Sequence, residues 1–309
     1  MEEPRVAIVR SYRPSQSAIH ARAVNARPVH LRRKMSAADA FRATVLECLA
    51  QVGGNAPAIR ARAPEGVHQV RVGLRRLQMA LRSFGAETPE LKALGKRGRA
   101  IADAFAPARE LDVFADELLA PVGRKYANHE SFAALTLALR HARGEAWDDA
   151  LAEVLNPDFG SFLNDVAAAA EQVPRDGKRI GKVGRKALNE QWKKARKRGR
   201  KIGKLYDLRI HKLRIALKKL RYSAEFFAPL YPRKKARRYI RALKVLLDRL
   251  GEANDVHGID DMLTRIGSAP DYRFAAGIVA GWHASRERRL TKKAMKGWND
   301  FRKLRPFWA

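Results

Sequence analysis

A histidine and a row of arginines share one face of a short stretch of this sequence. In EGVHQVRVGLRRLQMALRSF (residues 65–84), His68, Arg71, Arg75 and Arg82 recur at helical spacing. At about 100° per residue these side chains cluster roughly 120° from an apolar stripe. A guanidinium can bind two phosphate oxygens at once, and a histidine adds a pH-sensitive donor. The pattern indicates a surface that binds phosphate.

The same pattern returns in the second half of the chain. Residues 67–84 align with residues 210–227 (IHKLRIALKKLRYSAEFF) at a constant offset, which indicates an internal repeat. The paired basic positions are His68 with His211, Arg71 with Arg214, Arg75 with Lys218, and Arg76 with Lys219. Two histidines at one repeat position favour a shared function over a structural role for either alone.

An acidic or amide-containing turn follows each copy, after a second basic helix that includes Lys244 in the second half. The ungapped register pairs Asp112 with Asp255, whereas a two-residue gap pairs Arg109-Glu110 with Asn254-Asp255. Both registers remain open at this stage. Arg109, Asp112, Lys244, Asn254 and Asp255 are therefore candidate orienting or secondary site residues.

Apolar residues flank both sides of each basic row. Val72 and Met79 fall beyond the first row, where an isolated helix would face open solvent, and Ile215 and Tyr222 fall beyond the second. A solvated charged face normally has polar neighbours. We therefore expect the cations to lie in a groove between packed helices, with arginine stems buried and heads free.

Helical patterns dominate the chain, and no run of residues alternates as a strand would, so we predict an all-α fold. The repeat predicts two helical bundles related by a pseudo-twofold, residues 36–175 and 176–309. Residues 1–35 are expected to form a flexible basic arm, although they also fit a transit peptide. Residues 178–201 hold twelve basic residues and one acid. They are predicted to be either a solvated, partly mobile linker-helix or a direct anion contact.

The overall charge favours an anionic partner. The formal net charge is +31 at pH 7, which suits nucleic acid, an acidic membrane or another polyanion. Cys48 is the sole cysteine, so a disulfide framework is excluded. No stretch approaches the ~20 apolar residues of a membrane span, and the N-terminus lacks a signal-peptide core. We predict a cytoplasmic protein without a membrane partner.

The chemistry of the basic rows favours binding over catalysis. The two histidines lack companion ligands for a metal, and no nucleotide-binding glycine motif is present, so no cofactor is predicted. Aromatic side chains for base stacking are scarce, which favours a phosphate polymer or a highly phosphorylated small molecule over nucleic acid. Sequence-independent nucleic-acid binding stays one alternative. A phosphoanhydride-acting enzyme is the other, with Glu252, Asp255, Asp260 and Asp261 as its acidic cluster.

These motifs resemble those of the CHAD family, the conserved-histidine α-helical domain. VHQVRVGLRRL, IHKLRIALKKLRY, the LGEAND turn and the closing RPFWA carry the resemblance over about residues 36–309. It implies two four-helix bundles around a basic central channel that binds inorganic polyphosphate, and some members accumulate at polyphosphate granules. By this resemblance the phosphate contacts are His68, Arg71, Arg75, Arg76, Arg82, His211, Arg214, Lys218, Lys219 and Arg221.

Two positions depart from the family pattern, and one companion domain is missing. Gln78 stands where the first motif commonly has a basic residue, and Glu110 where the family often has aspartate. The E-x-E-x-K strand signature of the triphosphate tunnel domain that often accompanies the family does not occur. We therefore predict a non-enzymatic polyphosphate-binding protein with weak nucleic-acid binding at most. Its protein partners cannot be read from the sequence.

Overall fold

The chain folds as packed helices. The computed structural model describes residues 22–84, 88–200, 206–267 and 269–309, with backbone only at 206–208. These ranges contain no β-strand, and one isolated bridge joins Ser36 to Arg179. The predicted all-α class is confirmed.

The helices are α1 (Ala37–Gly54), α2 (Ala56–Arg60), α3 (Pro64–Ser83), α4 (Pro89–Ala104), α5 (Ala106–Val113), α6 (Ala120–Gly123), α7 (Glu130–Leu155), α8 (Pro157–Glu171), α9 (Ile180–Gly199), α10 (Tyr206–Phe227), α11 (Arg233–His257), α12 (Ile259–Ile266) and α13 (Arg273–Phe301). A π-helical segment, Phe114–Leu119, joins α5 to α6. Short 3-10 turns, Ala228–Leu230 and Pro270–Tyr272, precede α11 and α13.

Helix starts follow local capping chemistry. The Ser36 hydroxyl accepts a hydrogen bond from the Asp39 amide at 3.0 Å, and this begins α1. The Thr88 hydroxyl accepts from the Leu91 amide at 3.1 Å, with Pro89 at the first position of α4. Such side chains satisfy amides that have no partner within the helix.

Two groups of helices share one continuous core. Helices α3 and α8 each pack on both α1 and α4, α10 packs on both α9 and α11, and α11 packs on α13. Trp192 of α9 lies against Trp298 and Phe301 of α13. The repeat-related helices α3 and α10 touch between the groups, where the rings of Phe84 and Phe227 lie 5.0 Å apart. The domain limits and the pseudo-twofold remain predictions.

The described part of the predicted N-terminal arm is packed against the helices. Val29 and Leu31 are buried in the core. The Asn55 side chain pairs with both backbone groups of Val24, and Arg33 Nε donates to the Leu230 carbonyl at 2.9 Å. A flexible arm is therefore wrong for residues 22–35, because apolar burial and these hydrogen bonds hold them. The rest of the predicted arm, residues 1–21, lies outside the described residues.

The segment predicted to be a linker-helix or a direct anion contact is helical where the structure describes it. Most of residues 178–201 form α9, an uninterrupted helix that packs along α10. Its glycines make room for neighbours rather than breaking the helix. A Cβ on Gly184 would lie 2.9 Å from the Phe227 ring, and one on Gly199 would overlap the Trp298 indole. Ile180, Leu188 and Ala195 are buried and supply the apolar face that orders the helix.

Candidate functional site

A basic cavity lies between α3, α4, α9 and α10. Its volume is about 890 Å³. The cationic and histidine side chains that line it are Arg75, Arg82, Lys92, Lys96, Arg99, Lys194, His211, Arg214, Lys218 and Lys219. Asp103 and Glu190 are the two acids of the lining. This imbalance of charge in a recess suits a ligand that carries several negative charges.

The α3 wall carries part of the first basic row. Arg75 and Arg82 reach the cavity, with Gln78 between them. Met79 also lines it and is only 4 % exposed, and Val72 is half-buried against the core. Neighbouring helices therefore cover the side of α3 where an isolated helix would face open solvent.

The α10 wall carries most of the second basic row. His211, Arg214, Lys218 and Lys219 line the cavity together with two apolar residues, Ile215 and Tyr222. Side chains four residues apart lie on adjacent turns of one face of a helix. The spacing from His211 to Lys219 therefore spreads the four polar groups along the cavity.

Burial and mutual repulsion shift the pKa of the deepest lysine. Burial lowers the pKa of Lys218 to about 7, helped by the charges of Arg214 and Arg75 and opposed by Asp255. An ammonium removed from water and surrounded by cations loses its proton more readily. An anion in the cavity would favour the charged form again.

Neighbouring cations act on Lys219 as well. Its pKa is lowered by burial first, and then by Arg82, Arg99 and Lys194. These three cations come from α3, α4 and α9, whereas Lys219 belongs to α10. Four helices thus direct positive charge into one space.

Comparison with known proteins identifies the family. Residues 43–264, well over half of the chain, match the CHAD domain.

The chain belongs to the CHAD domain family.

Solved structures share the fold of this CHAD domain. The CHAD domain from the plant Ricinus communis is similar with a TM-score of 0.78 and 24 % identity, over 92 % of this chain and 98 % of that chain. PptA from Streptomyces chartreusis is similar with a TM-score of 0.67 and 15 % identity, over 86 % of this chain and 100 % of that chain. No curated protein matches the chain significantly.

His68 and Arg71 of the CHAD motif lie beside the cavity rather than in its lining. Arg71 is 8 % exposed, and its Nη1 donates to the Ala102 carbonyl at 3.0 Å. Burial lowers the pKa of Arg71 to about 10, and Arg75 contributes to the shift. The pKa of half-buried His68 is lowered by burial and then by Arg109 and Lys218. In this structure Arg71 holds α3 against the end of α4.

Arg76 and Arg221 of the motif lie outside the cavity lining, although the resemblance implies phosphate contacts for both. Arg76 is 5 % exposed; its guanidinium pairs with Glu225 at 3.1 Å and lies 5.1 Å from the centre of the Phe226 ring. Arg221 Nε lies 3.9 Å from the same carboxylate. Arg76 therefore joins the two repeat helices, whereas Arg221 pairs with Glu225 within α10.

The orienting candidates divide between two environments. Asp112 is fully buried and accepts from Arg143 Nε at 2.6 Å and from the Trp147 indole at 3.2 Å. Burial raises its pKa. Asp255 stands near Arg214 and Lys218, and burial raises its pKa too. Of these two aspartates, Asp255 is the one whose charge acts on residues of the cavity lining.

The gapped register agrees better with the neighbours of the two histidines. His211 Nδ1 lies 2.8 Å from Asn254 Oδ1, and the charge of Arg109 acts on His68. Arg109 and Asn254 are the residues that the gap pairs. Lys244, the remaining candidate, is exposed on α11 away from the cavity lining.

The motifs alone missed four lining cations of the CHAD domain. Lys92, Lys96 and Arg99 come from α4, and Lys194 comes from α9. The α4 residues recur at spacings of four and three, so the sequence also contains a third basic row. Only the packing could show that this row faces the first two.

Metal sites and membrane-spanning helices would indicate other functional classes. Within the described residues, no group of three or more His, Cys, Asp or Glu is placed to hold a metal ion. Of the helices in the described ranges, none has the length and apolar character needed to cross a membrane. Within the acidic cluster, Glu252 pairs with Lys293 at 3.4 Å, while Asp260 and Asp261 lie in the first turn of α12.

Proposed function

We propose that this CHAD domain binds inorganic polyphosphate in the cavity between α3, α4, α9 and α10, without turning the polymer over. One observation carries the proposal: ten cationic or histidine side chains and two acids line a recess of about 890 Å³. The resemblance of its motifs to the family's polyphosphate-binding motifs supports the same ligand. A linear polyanion satisfies many such side chains at once and releases its counterions on binding.

The proposed contacts differ in kind. Arg75, Arg82 and Arg214 would bridge phosphate oxygens bidentately, whereas Lys218 and Lys219 would act as point charges. His211, held by Asn254, would add a donor at the mouth. The contribution of both repeat helices to the lining supports the idea that one chain touches both copies. Two helical bundles related by a pseudo-twofold would present the copies in this way.

Phosphate alone, rather than a base, is the group that the lining can recognise. Tyr222 is the single aromatic residue of the lining and is 4 % exposed. Single-stranded nucleic acids usually gain affinity by stacking bases on exposed aromatic rings. Nucleic acid is therefore expected to bind weakly, through its backbone only.

A competition assay tests the choice of ligand. Labelled long-chain polyphosphate is bound to the full chain at moderate salt and challenged with RNA or DNA at equal phosphate concentration. Unlabelled polyphosphate should displace the label, and nucleic acid should leave most of it bound. Equal displacement by RNA would overturn the proposal in favour of sequence-independent nucleic-acid binding.

A variant assay tests the location. Arg75→Gln, Arg82→Gln and Lys219→Gln combined remove three lining charges that are not deeply buried. Loss of three charge-assisted contacts should weaken polyphosphate binding about a hundredfold or more. Lys234→Gln, Lys235→Gln and Lys292→Gln combined remove three exposed charges outside the cavity and serve as the matched control. Equal losses in the two variants would place the binding site elsewhere.

The non-enzymatic part of the proposal has its own test. Long-chain polyphosphate incubated with the protein and magnesium or manganese should keep its length on a gel. Shortening that requires the protein would establish phosphoanhydride cleavage instead. Association with polyphosphate granules in the cytoplasm is the expected cellular consequence. A fluorescent fusion should lose that association when Arg75, Arg82 and Lys219 are replaced.

A further inference from the structure

The outer face of α9 carries a second basic surface next to the cavity. Lys182, Lys186 and Lys193 fall within about 40° of one another around the helix, at 3.6 residues per turn. Together with Arg185, Asn189 and Glu190 they line a shallow open depression. Lys182, Arg185, Lys186 and Lys193 are all exposed.

This outer surface is continuous with the cavity. Glu190 lines both the cavity and the outer depression. Around α9, Lys194 in the cavity lies about 100° from Lys193 on the outer face, and Glu190 lies between them. A ligand that leaves the cavity past α9 therefore meets Glu190 first and the outer lysines next.

Neighbouring residues hold the outer surface in place. The Trp308 indole donates to Asn189 Oδ1 at 2.9 Å, and Arg185 hydrogen-bonds the half-buried Tyr231 hydroxyl. The opposite side of α9 packs on α10. Within the described part of the chain, Lys182, Lys186 and Lys193 form no ion pair. Their charges are therefore available to a ligand.

We propose that a polyphosphate chain too long for the cavity continues over Glu190 onto the outer face of α9, where Lys182, Lys186 and Lys193 bind its phosphates. This inference rests on the proposed function of the cavity and adds a second subsite that selects for chain length. Lys182 and Lys193 are eleven positions apart, or ~16 Å along the helix axis at 1.5 Å per residue. A short oligophosphate held in the cavity does not extend to them.

The test compares two ligands on one variant. Lys182→Gln, Lys186→Gln and Lys193→Gln combined should weaken binding of long-chain polyphosphate about tenfold at moderate salt. Its salt dependence should fall by about two to three units in the slope of log K against log salt concentration. Binding of tripolyphosphate should stay within about twofold of the wild type. The control is again the combined Lys234→Gln, Lys235→Gln and Lys292→Gln variant.

Glu190→Gln provides an independent reading with the opposite sign. Removing the acid between the two surfaces should tighten long-chain binding about two- to fivefold, because it removes one repulsive contact. Weaker long-chain binding by Glu190→Gln would overturn the proposed route.

The outcomes separate the two proposals. If the wild type binds neither ligand, both proposals fail. If it binds both ligands, and the α9 variant loses no more long-chain affinity than the control variant, the outer subsite alone is overturned. Equal weakening of tripolyphosphate and long-chain polyphosphate by the α9 variant also overturns it, since the lysines would then act on the cavity.

Discussion

Arg76 Nη1 lies 3.1 Å from Glu225 Oε2, and this ion pair joins the two repeat helices. The Arg76 side chain is 6 % exposed and that of Glu225 22 %. By repeat position, the counterpart of Arg76 is Lys219, and the counterpart of Glu225 is Arg82; both counterparts line the cavity. Arg76 and Glu225 thus join the two repeat helices, whereas the residues at the equivalent repeat positions, Lys219 and Arg82, line the candidate site.

We expect Arg76→Ala to destabilise the fold by about 3 kcal/mol. The substitution leaves Glu225 without its closest cation and removes an arginine stem packed on Phe226. Arg82→Ala should change the free energy of unfolding by less than about 0.5 kcal/mol, because Arg82 is exposed. Urea unfolding of both variants provides the comparison.

Replacing both partners of the pair separates its charge from its packing. Arg76→Met with Glu225→Met should recover part of the lost stability, since no buried charge is left alone. If the Arg76→Ala variant unfolded with the same free energy as the wild type but bound polyphosphate tenfold more weakly, Arg76 would contact the ligand rather than join the two helices.

Polyphosphate binding should weaken as the pH rises above 7. The pKa of Lys218 is about 7 in the free protein, lowered by burial, Arg214 and Arg75. Below that pH the ammonium is charged and ready to bind; above it, binding must first take up a proton, so affinity falls by up to about tenfold per pH unit. Titrations at pH 6.5, 7.5 and 8.5 on a polymer that stays ionised measure this dependence.

Lys218→Arg is the control for the pH dependence. A guanidinium remains charged throughout this range, so the variant should bind with a flatter profile. The pKa of His68 is lowered from its ordinary value by burial and Arg109, which moves its titration below this window. A wild-type profile as flat as that of Lys218→Arg would remove Lys218 from the site.

Gly199→Ala should destabilise the protein by about 1–3 kcal/mol. A Cβ at Gly199 would overlap the Trp298 indole, so α9 and α13 would have to move apart. Gly144 lies within α7 with nothing inside 4 Å of a Cβ, and Gly144→Ala should stabilise by about 0.5–1 kcal/mol. Thermal unfolding midpoints that shift in opposite directions confirm the contrast. A shift of the same sign in both would mean that the close approach of α9 to Trp298 is not a constraint.

Helical periodicity predicted much of the fold. The apolar stripe of α3 and that of α10 are buried as their spacing predicts, with Leu74, Leu77, Leu217 and Leu220 all at 1 % exposure or less. The all-α class follows from the same rule. A flexible arm was predicted wrongly for residues 22–35, because charge describes the composition of a segment, whereas its order depends on what it packs against.

The sequence predicted the candidate site only in part. Arg75, Arg82, His211, Arg214, Lys218 and Lys219 follow from the motif and line the cavity. Arg76 sits next to Arg75 in sequence, yet a rotation of about 100° turns it toward Glu225. Neighbouring basic residues of a motif can therefore face different partners, and the motif alone does not distinguish them.

Local spacing and composition by themselves determined the helical class and the repeated basic rows, and they predicted an anionic ligand, because these features depend only on residues a few positions apart. The tertiary structure decided which cations meet. It brought Lys92, Lys96 and Arg99 of α4 and Lys194 of α9 to the same cavity as the motif residues. It also turned Arg76 and Arg221 toward Glu225. Those outcomes depend on how helices distant in sequence pack, since packing sets which face of each helix is left open to a ligand.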